Sequence, residues 1–194
     1  MIRNTAAAVL LAASTLPAFA HLEPAGHGSF AAGFSHPLSG ADHVLAMLAV
    51  GLWAALLGGR ALWLVPTAFV ATMAAGFGAA VGGLSVPLLE PVILASVVAI
   101  GLLAAMALRV PTMAAMAMVG FFAFFHGAAH GGELGSAGAA SFAVGFAVAT
   151  ALLHGAGIAA GFRVGRAFGG DAGRFAMRFG GAATVLAGAW LAFG

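Results

Sequence analysis

Long apolar runs, interrupted by glycine, proline and arginine, dominate the chain after its first twenty residues. Each run has about 20 residues, the length that an α-helix needs to cross roughly 30 Å of hydrocarbon. The pattern predicts six membrane-spanning helices, at about 36–58, 61–84, 88–108, 112–133, 137–162 and 175–193. The breaks between them fall at Gly58–Arg60, Ser85–Pro87, Arg109–Pro111, Gly131–Gly135 and Arg163–Arg178. The predicted fold class is therefore an all-α membrane protein.

The first twenty residues have the pattern of a secretory signal peptide. Arg3 supplies the positive charge, Ala6–Leu16 the apolar stretch, and Ala18–Ala20 the small-x-small cleavage pattern. The apolar stretch is too short to span a bilayer, although an uncleaved first anchor is the alternative. We therefore predict a signal peptide at 1–20 and a single transmembrane domain over 21–194, with its N-terminus outside the cytoplasm.

Composition narrows the class of protein further. Hydrophobic residues make up 63% of the chain and charged residues 6%, with a mean hydropathy of +1.11. Soluble proteins carry about 25% charged residues, so a soluble enzyme, a nucleic-acid-binding protein and a disordered adaptor are excluded. The pI of 11.2 reflects seven basic residues, all arginine, which are too scattered for a nucleic-acid-binding face. The absence of cysteine excludes disulfides, thiolate zinc sites and iron–sulfur clusters.

The arginines orient the predicted bundle. With the N-terminus outside, the cytoplasmic loops follow the first, third and fifth spans, and short cytoplasmic loops favour arginine and lysine. All six arginines after the predicted signal peptide fall in these loops, at Arg60, Arg109, Arg163, Arg166, Arg174 and Arg178. We therefore predict a multi-pass protein of a bacterial inner (cell) membrane with both ends outside.

A first group of ionisable residues, His36, Asp42 and His43, lies at the start of the first predicted span. Charged side chains inside a span cost about 2.5–3.5 kcal/mol on insertion scales, so they indicate function. On a regular helix His36 and His43 lie about two turns apart on nearly the same face. Pro37 and Gly40 make this turn adaptable, so that the backbone can bend Asp42 towards both imidazoles.

A second group, His126, His130 and Glu133, follows spacings of four and three residues, which place the side chains on one stripe of the fourth span. Histidines at i and i+4 can present two imidazoles to one cation. Glu133 lies about 10 Å along the axis from His126, so two overlapping sites or a relay are predicted. Glycines beside these residues, at Gly127, Gly131 and Gly132, are expected to leave room around the ligands.

Two further ionisable residues each allow two interpretations. Glu90 opens the third span, where a carboxylate suits the positive end of the helix dipole or contributes to a metal site. His154 lies deeper, in the fifth span, as an inner station for a metal or as a hydrogen-bonded core histidine. The second interpretation of His154 is favoured.

Imidazole and carboxylate ligands without thiolate suit divalent nickel, cobalt, zinc or copper, and residue type alone does not choose between them. The stretch His36-Pro-x-x-Gly40-x-Asp42-His43 resembles the signature of the HupE/UreJ family. The stretch Phe125-His126-Gly127-x-Ala129-His130-Gly131-x-Glu133 resembles the second conserved block of that family. The predicted signal peptide and six-span layout agree with the family, so the resemblance covers the whole chain.

The resemblance implies a nickel permease, sometimes associated with cobalt, that accompanies hydrogenase or urease genes. The residues that it implies for the metal path are His36, Asp42, His43, His130 and Glu133, with Glu90 and Phe69 at similar positions. We expect facilitated diffusion from periplasm to cytoplasm, with nickel or cobalt as the transported substrate and no permanently bound cofactor. A permease for another divalent metal and an integral membrane metalloenzyme are the alternatives.

The expected partners follow from this function. They are the divalent metal ion, the lipid bilayer and a cytoplasmic metallochaperone that accepts the ion. Self-association into a homo-oligomer is left open, and no nucleic acid is expected.

Overall fold

The structure is a computed structural model that describes residues 29–134 and 138–194, apart from the side chain of Glu133. The predicted signal peptide lies outside the described residues. Within them the chain forms α-helices and no β-strand, which confirms the all-α fold class. The seven helices are α1 (Phe30–Ser39), α2 (Ala41–Leu57), α3 (Ala61–Val81), α4 (Leu89–Ala105), α5 (Thr112–Leu134), α6 (Ala139–Phe168) and α7 (Gly170–Phe193).

The helices support a multi-pass membrane protein. Four of them, α3, α5, α6 and α7, are long and apolar enough to cross a bilayer. Helices α1 and α2 pass the same test only as a pair, with a bend of 84° between them, and α4 is apolar but has 17 residues. The described residues thus contain four or five candidate spans, and the count of six stays a prediction.

The first predicted span departs most from its predicted form. Helix α1 begins at Phe30, where the Ser29 hydroxyl caps it by accepting the Ala32 N–H at 3.0 Å. The helix continues through Pro37, and Gly40 then breaks it with an extended backbone at φ −96° and ψ 118°. What the pattern predicted as one span from residue 36 is therefore two helices joined at a sharp angle.

The segment between the last two helices also differs from the prediction of a long break at Arg163–Arg178. Helix α6 continues to Phe168, and α7 begins at Gly170. One residue separates them, Gly169, whose φ of 62° is favourable for glycine and reverses the chain. The arginines of this segment therefore lie on the last turns of α6 and the first turns of α7. Exposed helical turns can carry charge, so a run of arginines does not require a loop.

Two contacts show that the arginine-bearing segments share one end of the bundle. The Arg178 Nε–H donates to the Ala105 carbonyl at 2.7 Å, next to the loop that carries Arg109. The buried Trp53 indole N–H, near the end of α2, donates to the Leu108 carbonyl at 3.0 Å. All six arginines of the described residues are exposed. We call this the arginine end, and the opposite end, which holds His36, His43 and His130, the histidine end.

Helix pairing brings α5 into close contact with α3, and α6 into contact with α1 and α2. A Cβ atom at Gly127 would overlap the Met73 carbonyl, and one at Gly131 would overlap the Phe77 carbonyl. The expectation that these two glycines leave room beside the ligands is wrong, because the α3 backbone fills that space. Gly132 differs, since a Cβ there meets nothing within 4 Å.

Candidate metal-binding site

Four histidines from three helices meet at the histidine end, and we call them the histidine cluster. They are His36 of α1, His43 of α2, and His126 and His130 of α5. The ring centroids lie 4.2 Å apart for His36 and His130, and 4.8 Å apart for His43 and His130. His43 and His126 are also separated by 4.8 Å. The bend at Gly40 turns α1 away from the axis of α2, so the cluster draws on both halves of the bent pair.

The two separations of 4.8 Å, from His43 to His126 and from His43 to His130, suit imidazoles that share an ion, whereas His36 and His130 at 4.2 Å would have to move slightly apart. Nitrogen–metal bonds of about 2.0–2.1 Å place the centroids of two rings on one ion roughly 4.5–6.5 Å apart. The Nε2 atoms of His43 and His130 lie 2.7 Å apart and share a hydrogen bond. Two nitrogens on one ion lie about 3 Å apart, so an ion that replaced this proton would separate the rings only slightly.

The site is not a preformed coordination shell. Among the described residues, no three histidine, aspartate or glutamate side chains are arranged to hold a metal ion as they stand. His43 Nε2 points at another imidazole nitrogen rather than into a metal-sized space. Binding therefore requires the rings to exchange one hydrogen bond for the ion.

Asp42 orients His43 within the cluster. Its Oδ2 lies 3.0 Å from His43 Nδ1, and its side chain stays 26% exposed whereas that of His43 is 8% exposed. When Nδ1 donates to the carboxylate, a neutral His43 keeps the lone pair of Nε2 for the cluster. Metal-binding histidines commonly donate their second ring N–H to a carboxylate in this way.

Ser96 orients His126, and it is absent from the residues predicted from the sequence. His126 is fully buried, and its Nε2 lies 3.0 Å from the Ser96 hydroxyl of α4. Ser96 is also fully buried, and the same hydroxyl lies 2.6 Å from the carbonyl of Ile93. A single serine in an apolar helix has no spacing pattern that marks it as functional, so only the three-dimensional contact identifies it.

Phe69 and His154 continue inward from the cluster. The ring of Phe69 is fully buried and lies 5.7 Å from His126 and 4.9 Å from His154, centroid to centroid. His154 is 1% exposed, and neither of its ring nitrogens has a hydrogen-bond partner among the described residues. The favoured expectation of a hydrogen-bonded core histidine is wrong on this point. A buried polar atom without a partner costs about 1–3 kcal/mol, so His154 requires another explanation.

The structure does not place the two predicted glutamates in the histidine cluster, for a different reason in each case. Glu90 is exposed in the first turn of α4, beside an apolar groove of about 610 Å³ that Leu94 and Phe193 help to line. No hydrogen bond or ion pair joins Glu90 to another described residue, and its place suits the helix-dipole interpretation. The backbone of Glu133 belongs to the last turn of α5, but its side chain lies outside the described atoms, so its role stays a prediction.

Comparison with known proteins covers nearly the whole chain. A family model described as HupE / UreJ protein matches residues 8–191, a range that includes both histidine motifs. The chain is 44% identical over 187 residues to Protein HupE of Rhizobium leguminosarum bv. viciae, and the alignment covers 95% of each protein. No solved structure matches the chain.

Proposed function

This chain belongs to the HupE/UreJ family, and on that premise we propose that it is a permease for a divalent transition metal, nickel in the first place. The proposed role is accessory: uptake into the cytoplasm supplies the maturation of a hydrogenase or a urease. The observation that carries the proposal is the convergence of four histidines from three helices at one end of an apolar bundle. We assign the histidine end to the periplasm and the arginine end to the cytoplasm, following the positive-inside bias.

The entry step uses the accessible side of the cluster. His36 and Asp42 are half-buried, whereas His43 and His130 are buried, so an arriving ion meets the first pair before the second. The Asp42 carboxylate offsets part of the positive charge that the ion brings into the bundle. The ion then replaces the hydrogen bond between His43 and His130 with two metal–nitrogen bonds. The hydrogen on His130 Nε2 leaves to water, and Nδ1 of the same ring takes up a proton, so that the bound imidazole stays neutral.

The inward path follows residues of increasing depth. At 1.5 Å per residue, His130 lies about 6 Å and His126 about 12 Å below the Leu134 end of α5. His154 lies about 22 Å below the Ala139 end of α6. Since Phe69 contacts the rings of both His126 and His154, we propose that the ion passes this ring and then meets the unpartnered nitrogens of His154.

The membrane potential can drive this movement without ATP. An inside-negative potential is worth about 2.3 kcal/mol per charge for each 100 mV, hence about 4.6 kcal/mol for a divalent cation. The sequence contains no Gly-rich phosphate-binding loop with its lysine. A cytoplasmic metallochaperone that binds the released ion would add to the inward free-energy gradient.

Transport is favoured over a membrane metalloenzyme because the chain belongs to the HupE/UreJ family, whose two histidine motifs imply a permease. In a permease the ion enters and leaves as its ligands exchange partners, and the hydrogen bond between His43 and His130 is compatible with such an exchange. A catalytic metal would instead be held by a fixed set of protein ligands that leaves one coordination position open.

Nickel uptake by the double variant His36→Ala plus His130→Ala tests the proposal. These substitutions remove two imidazoles of the cluster, so we expect uptake into proteoliposomes to fall by about tenfold or more, because even the loss of a residue that only orients a metal ligand typically costs about 10–100-fold. The matched control is Leu186→Ala, an exposed side chain of α7, a helix that contributes no residue to the cluster. Undiminished uptake in the double variant would contradict the assigned path.

A further inference from the structure

We propose that Ser96 is a positioning residue, which fixes the tautomer of His126 so that Nδ1 becomes its metal-binding atom. The inference rests on the proposed function, since it concerns how the same path holds a divalent ion. It adds a residue of α4 to a site that otherwise draws on α1, α2 and α5.

The two contacts of the Ser96 hydroxyl determine which atom donates. The hydroxyl carries one hydrogen, and its oxygen lies 2.6 Å from the Ile93 carbonyl oxygen. Two acceptor oxygens at this distance repel each other unless a hydrogen lies between them, so the hydroxyl donates to Ile93. The hydroxyl oxygen is then the acceptor for His126, whose Nε2 at 3.0 Å must carry the hydrogen.

The consequence for His126 follows from imidazole chemistry. A neutral imidazole with its hydrogen on Nε2 has the free lone pair on Nδ1. That atom is buried and has no hydrogen-bond partner among the described residues. The ring lies 4.8 Å from that of His43, within the separation expected for two imidazoles on one ion. Nδ1 of His126, which makes no hydrogen bond to a described residue, therefore offers a basic lone pair to the cluster.

His43 and His126 are each oriented by one hydrogen-bond partner outside the cluster, but through different ring nitrogens. Asp42 accepts from Nδ1 of His43 and leaves Nε2 for the cluster, whereas Ser96 accepts from Nε2 of His126 and leaves Nδ1. Outer partners of this kind set the tautomer and the orientation of metal-binding histidines. Ser96 is a neutral partner, so it orients the deeper imidazole without the negative charge that Asp42 provides nearer to the entrance. The ion is accordingly held less strongly as it moves inward.

The ¹⁵N NMR spectrum of histidine-labelled, metal-free protein tests the tautomer directly. Disappearance of a signal in His126→Gln assigns that residue. In the wild type we expect neutral His126 with its hydrogen on Nε2. In Ser96→Ala we expect this preference to be lost, and in Ser96→Thr, which keeps the hydroxyl, we expect it to be retained.

Metal binding supplies the second measurement, with Co²⁺ titrated into the purified protein and followed by its visible absorption. Loss of an outer partner typically weakens metal affinity about 10–100-fold, so we expect this range for Ser96→Ala and recovery in Ser96→Thr. The matched control is Thr150→Val, which removes another buried hydroxyl, one that bonds to the Met73 sulfur instead of a histidine. We expect the control to leave the His126 tautomer unchanged.

Two experimental results would overturn the proposal. A wild-type His126 that carries its hydrogen on Nδ1 would contradict it without any variant at Ser96. Unchanged Co²⁺ affinity and tautomer in Ser96→Ala would reduce Ser96 to a packing residue. Both measurements are made without transport, so a wild type that binds Co²⁺ but moves no ion would contradict the proposed function and leave the inference about Ser96 standing.

Discussion

The ring of Phe69 lies between two buried imidazoles, 5.7 Å from that of His126 and 4.9 Å from that of His154. All three side chains have 1% exposure or less. An ion that moves from His126 to His154 along the proposed path must therefore pass the Phe69 ring. The face of an aromatic ring attracts cations by about 0.5–2 kcal/mol, depending on how far the cation is desolvated.

Replacement of Phe69 tests whether the ring itself contributes. We expect Phe69→Leu to lower the initial rate of nickel uptake several-fold, because a similar volume is kept while the aromatic face is lost. Phe69→Tyr keeps the face and should retain most of the rate. Phe77→Leu is the control, since this buried ring of the same helix stacks on Phe142 instead of contacting His154. Equal rates for Phe69→Leu and wild type would contradict a role for the ring.

His154 is expected to reduce stability while it serves transport. Its unpartnered nitrogens cost about 1–3 kcal/mol each, so His154→Leu should raise the thermal unfolding midpoint. The same substitution removes the inner station, and nickel uptake should fall. Unfolding in detergent and uptake in proteoliposomes measure the two effects. A variant with wild-type uptake would show that His154 is a packing residue.

The charge of Asp42 is expected to matter beyond its hydrogen bond. Asp42→Asn keeps an oxygen that can accept from His43 Nδ1 but removes the carboxylate charge, and we expect nickel uptake to fall about 10–100-fold. Asp171→Asn is the matched control, because this exposed carboxylate lies at the arginine end. If both substitutions reduce uptake equally, the effect is one of overall charge and not of the site.

Gly127 and Gly132 form a matched pair for the packing of α3 on α5. A Cβ at position 127 overlaps the Met73 carbonyl, and overpacking of this kind costs about 1–3 kcal/mol. Gly127→Ala should therefore lower the unfolding midpoint. Gly132→Ala meets no atom within 4 Å and should be neutral or stabilising, by up to about 1 kcal/mol. A stable Gly127→Ala protein would mean that α3 and α5 can separate at this point.

Hydrophobic periodicity predicted the helices well where a span is regular. The predicted 61–84 and 112–133 compare with α3 at Ala61–Val81 and α5 at Thr112–Leu134. It failed at two glycines. Gly40 divides the first predicted span into two helices, and at Gly169 a single residue replaces a predicted loop. The loop at Arg163–Arg178 was predicted because of its arginines, but exposed helical turns also tolerate arginine.

The sequence predicted the part of the site that lies on a single helix. The stripe of His126 and His130 follows from helix geometry alone. The meeting of His43 with both of them does not, because the order in which helices pack depends on contacts between distant segments. The roles of Ser96 and the unpartnered state of His154 depend on single atoms, which no repeat or spacing in the sequence reports.

The most direct test of the central claim is the uptake of radiolabelled nickel into proteoliposomes under an imposed potential, with cobalt, zinc and copper as competitors. We predict saturable uptake that increases with an inside-negative potential and collapses when the potential is removed, because a divalent cation gains about 4.6 kcal/mol per 100 mV. The absence of uptake, together with nickel that stays bound to the purified protein in the presence of a chelator, would contradict the account and favour a membrane metalloenzyme.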